Sequence, residues 1–165
     1  MGVRFMTDML IDGEWLAVVL PEGFELIPHA ELESLVGFKY DRMWGVRDAE
    51  RHMLLNVTWK DSSKLLLKIA SERMLANRAD EGFARRHRKD GYCCNGRFSR
   101  AIAGADATAH GFRFSYAIGD VGQEGEVFVF KRGKRCYTLC YYTRPEVEAE
   151  NHPVYEGIVE SLEVR

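Results

Sequence analysis

The stretch TAHGFRFSYAIGDVGQEGEVFVFKRGKRCYTLCYY, residues 108–142, decides the fold. It contains three extended runs, 108–117, 124–131 and 134–142, and a fourth run, 97–103, precedes them. Gly104 with Asp106, Gly119 with Gly122, and Arg132 with Gly133 supply the turns between the runs. Each turn is too short to hold a crossover helix, so the strands must run antiparallel. In Val127, Phe128, Val129 and Phe130 both faces are apolar, which places this strand mid-sheet with cover above and below.

Working outward toward the N-terminus, the helical period takes over before Asp90. Asp61, Ser62 and Ser63 offer side-chain acceptors to free helix N–H groups, and a run of helix formers follows from 64 to 77, with room to extend to 88 past a weak point at Gly82. Leu66, Ile69, Ala70 and Met74 are expected to form its buried stripe, with Lys64, Lys68, Glu72 and Arg73 outside. Upstream, residues 43–47 and 51–60 read as strands joined by Asp48, Ala49 and Glu50. Met53, Leu55, Val57 and Trp59 share one face of the second strand. A helix over 29–36 is expected to bury Leu32, Leu35 and Val36. Before it, 9–11 and 14–19 form a hairpin around Asp12-Gly13, and Pro21-Glu22-Gly23 ends the strand. Past residue 142, a closing helix opens near Pro153 and carries Tyr155, Ile158, Val159 and Leu162 as its stripe.

These elements predict an α+β fold in which a central antiparallel sheet of six to eight strands carries packed helices. At 165 residues, with no repeat or linker, the chain reads as one domain, 1–165. Its 23 Lys plus Arg balance 25 Asp plus Glu, so no net field concentrates nucleic acid or anionic lipid. No apolar run has the length of a signal peptide or membrane span, so a cytoplasmic protein is expected. Met6 stands where a myristoylation motif requires Ser or Thr.

A search for chemistry returns little. Cys93 and Cys94 are adjacent, while Cys136 and Cys140 lie four apart on one strand, about 13 Å from each other when extended. That spacing defeats a shared zinc ion, so free, mostly buried thiols are expected. His29, His52, His87, His110 and His152 show neither an H-x-H nor an H-E-x-x-H pattern. A Cys136–His52 nucleophile pair would have to be assembled by folding. The glycine-rich 119–125 lacks the Lys and Ser/Thr of a phosphate loop, and the basic run 85–89 matches a helix C-terminus. No catalytic residue, cofactor or metal is assigned. What remains is the less apolar sheet face, where His52, Asn56, Thr58, Arg113, Ser115, Thr138 and Tyr142 are expected to project together as a binding face.

The segments Val18-Val19-Leu20-Pro21-Glu22-Gly23-Phe24 and Ile158-Val159-Glu160-Ser161-Leu162, set in this order of elements, resemble the PsbP-like superfamily. That superfamily includes the photosystem II extrinsic protein, a nuclear Ran-binding protein and cytoplasmic bacterial secretion chaperones. The first segment looks like the family's early P-x-G-F/W turn, and the second like its final helix ending in Ser plus a large apolar residue. The resemblance covers most of the chain and implies a PsbP-like α/β sandwich whose role is protein binding. The expected function is therefore a non-catalytic, cytoplasmic adaptor or chaperone-type module with an unidentified protein partner. The rival reading is a small-molecule-binding protein or enzyme with a pocket on the sheet face.

Overall fold

A computed structural model describes residues 6–11, 15–37 and 42–165. The four hairpin-linked strands lie in one seven-stranded sheet whose order is β3-β4-β5-β9-β8-β7-β6. Its members are β3 (Glu25–Leu26), β4 (Met43–Asp48), β5 (Met53–Asp61), β6 (Cys93–Arg100), β7 (Ala109–Ile118), β8 (Val121–Arg132) and β9 (Arg135–Thr143), all antiparallel to their neighbours. The first of the four runs starts earlier than its composition suggests, at Cys93, and a bulge between Cys94 and Gly96 shifts its register. As expected, β8 is interior: Val127 to Phe130 are at most 1% exposed.

The N-terminal hairpin stays out of this sheet. β1 (Met6–Ile11) and β2 (Leu16–Pro21) pair with each other, and β10 (Glu163–Val164) adds to β2. Its Asp12-Gly13 turn lies outside the described residues. This small sheet and α4 (Glu148–Glu160) cover one face of the large sheet. Leu16, Val18 and Leu20 of β2 meet Leu55, Val57, Phe128, Phe130, Leu139 and Tyr141 there, with Tyr155, Ile158 and Val159 of α4. The other face packs Phe112, Phe114, Tyr116, Val127 and Cys140 against Phe83 of α3 (Glu72–Arg86). At its β4 end α1 (His29–Val36) sits on the sheet through Leu32. Gly45 allows that approach, since a Cβ there would lie 2.8 Å from both Leu32 δ-carbons.

The residues behind the family resemblance prove to be structural and to meet in space. Ser161 Oγ accepts from Val19 N (2.9 Å) and donates to Ile158 O (2.6 Å), so the end of α4 is tied to β2. Gly23 follows Pro21 at φ +105°, a conformation that favours glycine, and its missing side chain makes room for Asp48.

Three expectations about helices are corrected. The single helix over 64–77 is broken into α2 (Lys64–Ile69) and α3: Ser63 accepts from Leu66 N (3.3 Å), and Ser71 caps a second start by accepting from Met74 N (3.2 Å). Lys131 of β8 sits at the break, its Nζ donating to Leu67 O and Ala70 O and lying 3.5 Å from Glu72. The rephasing exposes Leu66, Ile69 and Met74, buries Leu67 and Ala76, and turns Glu72 inward. In α1 only Leu32 is buried, and Leu35 is exposed. Finally, α4 begins five residues before Pro153. Asn151 donates to Arg51 O (2.7 Å) and Thr143 Oγ1 (2.9 Å), which docks the first turns and offsets the intrahelical bond that Pro153 lacks.

Candidate functional site

The register decides which predicted site residues share a face. Asn56 opposes Cys140, Thr58 opposes Thr138, and Leu54 opposes Tyr142, so these side chains point to the side that carries α1 and α3. Val127 opposes both Cys140 and Phe112, which puts Phe112, Phe114 and Tyr116 on that same side. Arg113 and Ser115, one residue out of phase, therefore project from the opposite face, contrary to expectation. Arg113 Nε donates to Glu126 Oε1 (3.0 Å) and its guanidinium lies over the Phe98 ring, while Ser115 Oγ accepts from Asn95 (3.0 Å).

Between α1 and α3 the sheet is not fully roofed. An open trough of about 400 Å³ runs over β5 and β9, with Asn56, Thr58, Thr138, Cys136, Cys140 and Tyr142 on its floor and Leu67, Leu75 and Phe83 along the helical wall. Val36 and Tyr142 also line a second hollow of about 460 Å³, which contains His52, Leu35, Tyr116 and Arg144. Five of the seven predicted residues are thus gathered around two adjoining hollows. His52 sits at the β4–β5 turn with φ 55°, at the end of the sheet away from Cys136. Eight residues of strand separate their positions, roughly 25 Å, so they form no nucleophile pair.

The charged side chains described along the trough are cationic. Lys60, Arg78 and Arg86 line it, and no carboxylate does among the described residues. Arg86 also donates to Val36 O (3.2 Å), linking α3 to α1 across the trough's end. Asn56 is buried, and its Nδ2 has no hydrogen-bond partner among the described residues. Burial pushes the Cys136 thiol up to about 11 and the Cys140 thiol up to about 12, so both line the trough as neutral, weakly polar thiols rather than thiolates near pH 7. Tyr142 is pushed well above its ordinary value by the same cause. The trough therefore presents donors, cations and apolar walls, a combination that holds anionic, partly apolar groups. Cys93 is exposed and Cys94 half-buried on β6, three strands from β9, so the four thiols do not converge, and Cys93 is not the buried residue expected.

A second polar cluster, missed by the sequence reading, lies under α4 on the opposite face. Glu126 is buried, and one ligand atom each from Glu126, His152 and Glu156 lie within 4.8 Å of one another. The signal was available in part: His152 and Glu156 are four apart on a helix and so share a side. Their convergence with a β8 carboxylate depended on a register the sequence does not display.

The cyanobacterial PsbP (CyanoP) of Synechocystis sp. PCC 6803 is similar to this chain at a TM-score of 0.70, over 99% of this chain and 95% of that one, with 12% identity. The chain has the PsbP-like fold. LpqN of Mycobacterium tuberculosis, involved in cell envelope biogenesis, matches at TM-score 0.62 and 10% identity, covering 99% and 92% of the two chains. The Saccharomyces cerevisiae Ran-binding protein Mog1p matches at 0.57 and 8%, covering 98% and 96%. At such identities the PsbP-like fold is what is shared, and the site residues must be judged on their own geometry. No protein-family model and no curated protein matches the sequence.

Proposed function

We propose that this protein is a non-catalytic binding module that grips an acidic, partly apolar protein segment in the trough between α1 and α3. The observation that carries this reading is the trough's lining: Arg78 beside a floor of amide, hydroxyl and thiol groups between apolar helical walls, with no carboxylate among the described lining residues. α2, whose Leu67 lines the trough, also carries Leu65, Leu66 and Ile69, all more than half exposed, as apolar surface near it. An extended segment laid over β5 and β9 would meet the Asn56 amide and the Thr58 and Thr138 hydroxyls below, and Arg78 at the side. The Ran-binding description of one protein with the same fold is consistent with a protein-binding role. As in the sequence reading, the module is taken to act in the cytoplasm.

The test uses fluorescein-labelled dodecamers alternating Glu or Asp with Leu or Phe, and counterparts in which Lys replaces each acid. Saturable anisotropy for the acidic series, lost in the basic series and weakened by about tenfold in Arg78→Glu, supports the reading. Amide shifts in a ¹⁵N spectrum must fall on β5, β9 and α3. Shifts confined to the α4 side, or equal affinity for both series, would refute it. The trough's volume of about 400 Å³ also suits a small anionic amphiphile. Binding of octanoate but of no peptide would favour that second reading.

A further inference from the structure

The cluster beneath α4 has the parts of a coordination site, and these stand independently of the trough. Glu126 is 3% exposed on the interior strand β8. Its Oε1 accepts from Arg113 Nε at 3.0 Å, whereas its Oε2 is buried with no hydrogen-bond partner among the described residues. Arg100 Nη1 lies 4.0 Å from Oε2, beyond hydrogen-bond reach, and the buried Tyr155 hydroxyl, the neutral group that interacts with Glu126, brings no charge to it. A buried carboxylate oxygen left in this state carries an electrostatic penalty unless a cation or proton occupies the space before it.

Two α4 side chains, His152 and Glu156, each bring a ligand atom within 4.8 Å of a Glu126 carboxylate oxygen. His152 Nε2 lies 3.7 Å from Glu156 Oε1, already near the roughly 3.4 Å that separates donors around a tetrahedral ion with bonds of about 2.1 Å. The other imidazole nitrogen, Nδ1, is 3.2 Å from Glu148 Oε1, and Glu148 Oε2 accepts from the Tyr141 hydroxyl at 3.1 Å. With Nδ1–H donated to Glu148, the Nε2 lone pair is left available on the side of Glu156. A carboxylate orienting a histidine from behind is the arrangement by which proteins prepare imidazole for a metal.

We propose that Glu126, His152 and Glu156 bind a divalent transition-metal ion of the zinc or cobalt class, with Glu148 as the positioning residue for His152. One imidazole nitrogen and two carboxylate oxygens form a mixed N/O set suited to such ions, and the imidazole disfavours Mg²⁺ and Ca²⁺. Charge permits it: Glu126, Glu148 and Glu156 face Arg100 and Arg113, leaving one net negative charge before the ion enters. Arg100 holds Glu156 through Nη2 at 2.8 Å and Nη1 at 3.4 Å, so the ion shares that carboxylate with a guanidinium and binding is exchangeable. Because His152 and Glu156 lie on α4 and Glu126 lies on β8, the ion clamps the closing helix to the sheet.

The experiment is calorimetric titration of the full chain with ZnCl₂ near pH 7.5, in a Cys93→Ser/Cys94→Ser background that removes the more accessible thiols, with thermal denaturation in parallel. The expected result is one equivalent of saturable zinc and a raised Tm. His152→Ala, at a side chain that is 42% exposed at the edge of α4, should weaken binding at least tenfold and abolish the Tm rise, while its metal-free melt stays close to that of the parent. Glu148→Gln should weaken it about tenfold while leaving the stoichiometry at one. His29→Ala is the control, since His29 pairs with Glu33 at 3.1 Å on a surface helix turn that has no buried carboxylate. Absence of saturable binding, zinc affinity unchanged in His152→Ala, or an equal loss in His29→Ala would each overturn the proposal.

Discussion

Replacing Gly23 by Ala tests the physical reason for the Pro-Glu-Gly-Phe turn. Gly23 sits at φ +105°, where an L side chain is strained by about 1–3 kcal/mol. The added Cβ would lie 2.6 Å from Asp48 Oδ2 and 2.9 Å from Arg51 Nη1. Asp48 is 2% exposed, accepts from Arg51 N (3.0 Å) and forms an ion pair with the Arg51 guanidinium. Pushing a buried carboxylate off such donors costs about 1–3 kcal/mol more. A total near 3 kcal/mol lowers Tm by roughly 6–12 °C in a chain of this size. The control is Gly82→Ala in α3, where nothing lies within 4 Å of the new Cβ, and helix propensity predicts a gain of about 1 kcal/mol. Circular dichroism melts of both variants at one protein concentration check the pair. A Gly23→Ala melt within 2 °C of wild type, or a Gly82→Ala melt that falls as far, would show that the turn's glycine is not held by conformation and crowding.

Ellman's reagent near pH 8 should label Cys93 at once, because it is exposed, and reach Cys140 only after guanidinium unfolding, because burial holds that thiol neutral at about 12. Four equally fast thiols in native protein would contradict the burial of β9. Asp61 accepts from Arg135 (2.7 Å) and Arg42 (2.6 Å), which hold its carboxyl well below the usual carboxylate range. With the folded value depressed, its contribution is complete above the unfolded value of about 4 and is lost as pH falls through the folded one. Asp61→Asn should therefore flatten the acid limb of a Tm-against-pH curve below about pH 4 and lower the plateau at pH 7; a variant with an unchanged acid limb would contradict the pairing. Leu66→Glu and Ile69→Glu, at exposed positions, should shift stability by no more than about 0.5 kcal/mol, yet weaken the binding of acidic, apolar peptides in the same anisotropy titration, because they remove apolar surface and add like charge; unchanged affinity would show that α2 takes no part.

Local signals determined much of the architecture. Gly and Asp turns between β-rich runs set the meander, and the doubly apolar Val127–Phe130 run marked an interior strand, because turn chemistry and side-chain alternation act over a few residues. The stripe Tyr155, Ile158, Val159, Leu162 was legible for the same reason, and all four are buried. Helix phase was harder, since Ser71 restarts the helix in competition with a continuous run of good formers, and the contact that settles the break comes from Lys131, sixty residues on. The face of each strand was decided by tertiary structure alone. Alternation tells which residues of β7 share a side, but this sheet has a core on both sides, so Phe112 and Phe114 belong with α3 while Phe128 and Phe130 belong with α4. That parity moved Arg113 and Ser115 away from Asn56 and Thr58, and placed Glu126 beneath His152 and Glu156. Pairing between strands and docking of helices are long-range choices, fixed by which buried surfaces fit together.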